Sequence, residues 1–201
     1  MIKCNVTICG VVSKAATCRT SQDGRPYVCF AMNVVIPAKT GINKTVEVSV
    51  IKDGTQTEVG NPLVGSRIEV AGILTLKKRG DNLYLNLSAT GVNPDTTATE
   101  DSITGQIEFR GKTGKQIEEK TDKKGKPFLS FSAFSAEKVQ DGFEYIWVRF
   151  VRFDHEREVW LQPSTKVSAK GELDVSVYND RLNFSCKVSE ISEYIPQPYN
   201  P

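Results

Sequence analysis

Asp23-Gly24-Arg25-Pro26-Tyr27-Val28-Cys29-Phe30 recurs 101 residues later as Lys124-Gly125-Lys126-Pro127-Phe128-Leu129-Ser130-Phe131. In both copies a glycine turn, a basic residue and a proline deliver the chain into an aromatic and then an alternating strand. Proline has no N–H to give to a ladder, so it marks the first residue of that strand. A second match follows in the same order. Gly65-Ser66-Arg67-Ile68-Glu69-Val70-Ala71-Gly72-Ile73-Leu74 corresponds to Ser164-Thr165-Lys166-Val167-Ser168-Ala169-Lys170-Gly171-Glu172-Leu173 at an offset of 99 residues. Two matches in register indicate an internal repeat of about a hundred residues.

Outward from these anchors, each copy reads as short strands of period two separated by Gly, Asn and Asp turns. The expected strands are 4–13, 27–36, 45–51, 66–77 and 83–92 in the first copy. In the second they are 103–110, 128–136, 144–153, 166–177 and 181–191, with Asn179-Asp180 turning the last hairpin. Only Asp154-His155-Glu156-Arg157-Glu158-Val159-Trp160-Leu161 reads as helical, capped by Asp154 and stopped near Pro163, between strands three and four. The polar stretch Asn93-Pro94-Asp95-Thr96-Thr97-Ala98-Thr99-Glu100-Asp101-Ser102 has no apolar period and reads as a linker. The expected organisation is a first domain 1–93, a linker 94–102, a second domain 103–193 and a Pro-rich tail 194–201. The expected fold class is all-β: two tandem five-stranded OB-fold barrels, each with at most one short helix between strands three and four.

Composition excludes several alternatives. Of the 201 residues 39% are apolar and 25% charged, as in an ordinary globular protein. No apolar run approaches the roughly 20 residues of a membrane span, and Met1-Ile2-Lys3-Cys4-Asn5 has no signal-peptide core, so a cytoplasmic protein without membrane contact is expected. Cys4, Cys9, Cys18, Cys29 and Cys186 form an odd set without a C-x-x-C pair, which points to small apolar strand residues rather than a zinc site or a disulfide framework. The net charge of +2 is no nucleic-acid signature by itself. Catalysis is not expected. The single histidine, His155, lies among Asp154, Glu156 and Glu158 as solvated charge, and no Gly-rich phosphate loop or Ser/His/Asp grouping accompanies it. No cofactor or metal is called for.

The second copy resembles a domain of the bacterial and phage-type single-stranded DNA-binding (SSB) family. The resemblance rests on Ile103-Thr104-Gly105, the Gly125–Ser132 strand, Glu144-Tyr145-Ile146-Trp147-Val148-Arg149-Phe150, and Lys166–Leu173 in that order. The first copy resembles it more weakly. The resemblance implies a non-enzymatic protein that binds single-stranded DNA in replication, repair, recombination or mobile-element maintenance. It also implies an assembly. Family members with one barrel per chain commonly form tetramers, so a homodimer of this twin-barrel chain is expected. Three departures stand out: a shorter segment between strands three and four, a short Glu137–Gly142 connection without an aromatic, and a Pro/Tyr ending in place of an acidic tail. Recruitment of protein partners is therefore not carried over.

Alternation along strands also assigns faces. On the second strand of copy two, Leu129, Phe131 and Ala133 share one parity, and Phe128, Ser130, Ser132 and Phe134 the other. On the third, Ile146, Val148 and Phe150 form the apolar set and leave Tyr145, Trp147 and Arg149 outside. Sequence-tolerant binding of a single strand calls for aromatic faces that stack bases, within positive charge. Trp147, Tyr145 and Phe134 are the candidate stacking residues, with Phe128 on the same parity and Arg149 for phosphate or cation–π contact. The family pattern adds Tyr178, an aromatic far along strand four. Lys126, Arg110 and Arg181 are candidate phosphate partners at the rim. Trp160 and Phe184 are expected in packing.

The first copy has Thr45, Glu47 and Ser49 where the second has Tyr145, Trp147 and Arg149, so its stacking platform is missing. Its candidates are Tyr27, Tyr84 and the basic run Lys77-Lys78-Arg79 at the hairpin of strands four and five. The alternative function is a twin OB-fold module that holds a protein or oligomerises without nucleic acid.

Overall fold

Two glycines at equivalent places let the long first strand of each copy serve two neighbours. The computed structural model describes residues 1–38, 40–153 and 157–195. In the first copy, β1 (Ile2–Thr20) pairs along Lys3–Val11 with β4 (Arg67–Arg79) and along Val11–Thr20 with β2 (Pro26–Ile36). The change of partner falls beside Gly10, where a Cβ would collide with the carbonyl oxygen of Asn33. Only glycine permits that approach.

The rest of the first barrel follows from β3 (Lys44–Asp53), α1 (Gln56–Val59) and β5 (Asn82–Asn93). β3 runs antiparallel to β2 and parallel to β5, and β5 returns antiparallel to β4. The circuit β1-β2-β3-β5-β4-β1 is closed, which is the five-stranded Greek-key barrel of the OB fold. Its interior is aliphatic, with Ile8, Val28, Met32, Val48, Ile68, Leu74 and Leu87 fully buried.

The second copy repeats the circuit with β6 (Ser102–Thr121), β7 (Pro127–Val139), β8 (Gly142–Phe153), β9 (Lys166–Tyr178) and β10 (Arg181–Glu193). β6 pairs with β9 along Gln106–Lys112 and with β7 along Lys112–Thr121, again through a glycine, Gly111, whose Cβ would strike the Phe134 carbonyl oxygen. β8 runs antiparallel to β7 and parallel to β10, which neighbours β9. Here the core is aromatic. Phe150 lies 5.1 Å from Phe131 in a stacked arrangement and 4.9 Å from Phe109 edge-on. Phe184 is buried, as its parity requires. Asn179 and Asp180 both take positive φ, the backbone that turns a two-residue hairpin.

The described residues form two compact units. One comprises Lys3–Gly105 with Val175–Leu182, and the other Met1–Ile2, Gln106–Asp174 and the described chain from Asn183 onward. Within the first unit the carboxylate of Asp101 accepts the Val35 N–H at 2.7 Å and pairs with Arg67, and Thr96 Oγ1 donates to Glu69 at 3.1 Å.

Two expectations are corrected. β1 and β6 run to Thr20 and Thr121, well past the expected ends at 13 and 110. Their second halves are exposed on both faces, so no apolar alternation marks them. The expected helix 154–161 is also absent over its described part. Asp154, His155 and Glu156 lie outside the described residues, and Arg157–Leu161 forms turns. The carbonyls there are taken by other partners: Arg157 Nε donates to Leu161 O at 2.9 Å, and Thr113 Oγ1 donates to Gln162 O at 2.8 Å. Leu161 is fully buried, and Arg152 pairs with Glu158. The helix of the chain stands at the matching place in the first copy, where the Glu58 carboxylate accepts the Thr55 N–H at 2.7 Å. That bond and one from the Thr55 hydroxyl hold Glu58 below the usual carboxylate pKa. Of the tail, Pro196–Pro201 lie outside the described residues.

The cysteines separate by exposure. Cys4, Cys9 and Cys186 are buried, Cys29 is half-buried and Cys18 is exposed. Burial pushes the Cys4 thiol up to about 12. Since the thiolate is the reactive form, its fraction at pH 8 is about one in ten thousand. Native labelling with iodoacetamide at pH 8 is expected to modify Cys18 and spare Cys4. Comparable labelling of both, read by peptide mass spectrometry, would contradict the buried placement of β1.

Candidate nucleic-acid interface

β7 and β8 form an unbroken antiparallel ladder from Phe128↔Phe153 to Val139↔Gly142. A two-residue turn, Gln140-Asp141, fixes that register. Directly opposed residues share a face, so the outer face carries Ala136 with Tyr145, Phe134 with Trp147, and Ser132 with Arg149. The inner parity, Leu129, Phe131, Ala133, Val148 and Phe150, is buried. Trp147 is 52% exposed and Tyr145 45% exposed, so both point away from the barrel interior, as expected.

Phe134 joins the two rings. Its centroid lies 4.9 Å from Trp147 and 5.4 Å from Tyr145, the latter edge-on, so three aromatics make one contiguous surface. The Trp147 ring also lies over Gly114 of β6, where a Cβ would come within 3.3 Å of Cζ3. The Arg149 guanidinium reaches Ser130 Oγ at 3.5 Å. This couples Arg149 to β7 and covers Ser130, which is buried although it lies on the outward parity.

Charge enters from β6 and β9. Lys112 is the partner of Phe134 on one side and of Lys166 on the other, and both lysines are exposed. One row across four strands therefore reads Lys166, Lys112, Phe134, Trp147. Lys112 was not among the expected residues. It follows Gly111, where the visible alternation of the first strand stops. Phe143, opposite Lys138 and 58% exposed, was also missed; it lies on the outward parity of β8 just after the hairpin turn.

The other expected residues of this barrel are more scattered. Arg110 is exposed and lies 5.3 Å over the Tyr194 ring. Lys126 sits in the β6–β7 turn, where its backbone N–H donates to Asp122 Oδ1 at 2.8 Å and its side chain is exposed. Phe128 is half-buried against Phe153, with centroids 5.5 Å apart. Tyr178 and Arg181 are exposed and belong to the compact unit of Lys3–Gly105, whereas Trp147, Tyr145 and Arg149 belong to the other.

In the first barrel the equivalent row reads Val11, Asn33, Glu47. Thr45, Glu47 and Ser49 point outward as expected, and Glu47 pairs with Lys14 at 2.8 Å. No ring lies in that row. Lys77 is exposed directly opposite Tyr84, which is itself exposed, and Lys78 and Arg79 follow toward the Gly80 turn. Tyr27 is half-buried between Arg19 and Asp53 in the ladder.

Among the described residues no group of three or more His, Cys, Asp or Glu could hold a metal ion. No helix among them is long and apolar enough to cross a membrane.

No protein-family model matches the chain, and no curated protein sequence does. Three solved structures are distantly similar. The wild-type single-stranded DNA binding protein from Thermus aquaticus is 14% identical with a TM-score of 0.46, over 100% of this chain and 96% of that one. The small single-stranded DNA-binding protein from Streptomyces coelicolor is 20% identical with a TM-score of 0.36, over 49% of this chain and 94% of its own. The protein PriB from Ralstonia solanacearum is 14% identical with a TM-score of 0.34, over 45% and 97%.

Proposed function

We propose that this twin OB-fold chain binds single-stranded DNA with little sequence preference, and that it is a binding protein rather than an enzyme. The observation that carries the proposal is the row Lys112, Phe134, Trp147, extended by Tyr145, on the outer face of β7 and β8. Every base has a π-face, so exposed rings accept any base, and the lysine beside them meets the phosphate that follows. Arg149 continues the positive charge along the same face. The four rim candidates Lys126, Arg110, Arg181 and Tyr178, with Lys77, Lys78, Arg79, Tyr84 and Tyr27 of the first barrel, are proposed as secondary contacts. The domains are taken as 1–93 and 103–193, acting in the cytoplasm on DNA exposed in replication, repair, recombination or mobile-element maintenance.

Fluorescence anisotropy of labelled oligo-dT over a range of salt tests this directly. Binding is expected to weaken linearly on a logarithmic salt scale as counterions are released. Lys112→Ala is expected to lower the magnitude of that slope by about 1, the mark of one lost phosphate contact. A slope unchanged by the substitution would remove Lys112 from the interface. Absence of binding at low salt would leave the alternative, a protein-interaction module.

We also propose a homodimer, in which linked barrels raise avidity through effective concentration. The first barrel, without rings in its equivalent row, is the one free to form a two-fold contact. Light scattering across a wide concentration range is expected to give twice the chain mass. A constant monomer mass would contradict it.

A further inference from the structure

The outer face of β7 and β8 carries a second row built like the first. Six residues along β7 from Phe134, Phe128 stands opposite Phe153 of β8 and opposite Lys120 of β6. The row Lys120, Phe128, Phe153 thus repeats Lys112, Phe134, Trp147 in kind and in order: a lysine on β6, a phenylalanine on β7, an aromatic on β8. The register between the rows is unbroken on β7 and β8, so both lie on one face. The two rings of the second row are in contact, with centroids 5.5 Å apart, and each is half-buried rather than enclosed. At the rise of a strand the rows are about 20 Å apart. Arg149 lies between them with its guanidinium at Ser130 Oγ.

We infer that Phe128 and Phe153 form a second base-stacking station, so that one single strand of DNA runs along β7 and β8 from the Trp147 cluster, past Arg149, to Phe153. The inference rests on the proposed single-strand binding and goes beyond it by setting the path and length of the bound strand. The station acts through stacking more than through charge, because Lys120 Nζ lies 2.5 Å from Glu118 Oε2. A strand too short to span about 20 Å would occupy the Trp147 cluster alone, whose three rings offer the larger surface.

The test compares oligo-dT of about 4 and about 16 nucleotides, the limits of site size for one OB fold, on the full chain. The variants are Phe153→Leu, which keeps apolar bulk and removes the π-face, and Trp147→Ala. Phe153→Leu is expected to weaken the longer oligonucleotide by about 5- to 100-fold, to leave the shorter one unchanged, and to leave the salt slope unchanged. Trp147→Ala is expected to weaken both. If Phe153→Leu binds the longer oligonucleotide as tightly as the parent while Trp147→Ala fails on both, the second station is wrong and the proposed function stands. If Trp147→Ala changes neither, the proposed function falls and the station with it. Photo-cross-linking of an oligo-dT bearing 5-iododeoxyuridine supplies a readout independent of any substitution. Cross-links to Phe128 or Phe153 are expected, and their absence alongside cross-links to Trp147 would overturn the path.

Discussion

Replacing Phe150 by alanine is expected to destabilise the second barrel by about 3–5 kcal/mol, the cost of emptying a well-packed aromatic site. Phe150 is fully buried, stacked at 5.1 Å on Phe131 and edge-on at 4.9 Å to Phe109, so its loss leaves two rings facing a void. It stands on the inner parity of β8, between the outward Arg149 and Val151. Its removal therefore loosens the strand that carries Tyr145 and Trp147. Both tryptophans of the chain, Trp147 and Trp160, lie in the second copy, so their emission follows that barrel and is blind to the first. Urea unfolding followed by tryptophan fluorescence should show a midpoint lower by about 1–3 M, given slopes of about 1–3 kcal/mol/M. A change under about 1 kcal/mol would mean that Phe150 is not a core residue.

Trp147→Ala is expected to weaken oligo-dT binding by about 1–3 kcal/mol, with the fold retained because the ring is half outside the protein. Phe134→Ala should cost a similar amount, since its ring touches both Trp147 and Tyr145. The two losses are not expected to add, because each ring positions the other. Glu47→Ala, in the equivalent row of the first barrel, should leave the affinity within a factor of about two, the scale of an exposed charge pair. Equal losses for Glu47→Ala and Trp147→Ala would mean that the first barrel carries the strand.

Much of this arrangement was legible because alternation survives wherever one face of a strand is buried. Ile146, Val148 and Phe150 against Tyr145, Trp147 and Arg149 is such a case, and the parity settles which side faces out. The Asn179-Asp180 turn was legible because few residue pairs accept positive φ at two successive positions. Alternation says nothing of strands exposed on both sides, which is why the far halves of β1 and β6 were missed, and Lys112 with them. Nor does it give cross-strand register. That Phe128 meets Phe153 depends on the tight Gln140-Asp141 turn, whereas the expected strands left residues 137–143 as an open connection. The helical pattern at 154–161 failed for another reason. A buried Leu161 and side-chain donors to the local carbonyls outweigh a weak capping signal.

The most direct test is a fluorescence titration of the Trp160→Phe variant, which keeps Trp147 as the sole tryptophan. Stacking of a base on Trp147 requires that saturating oligo-dT quench its emission, with the quench released as salt is raised. Emission that stays constant while anisotropy reports tight binding of the same oligonucleotide would contradict the claim that this face holds the DNA.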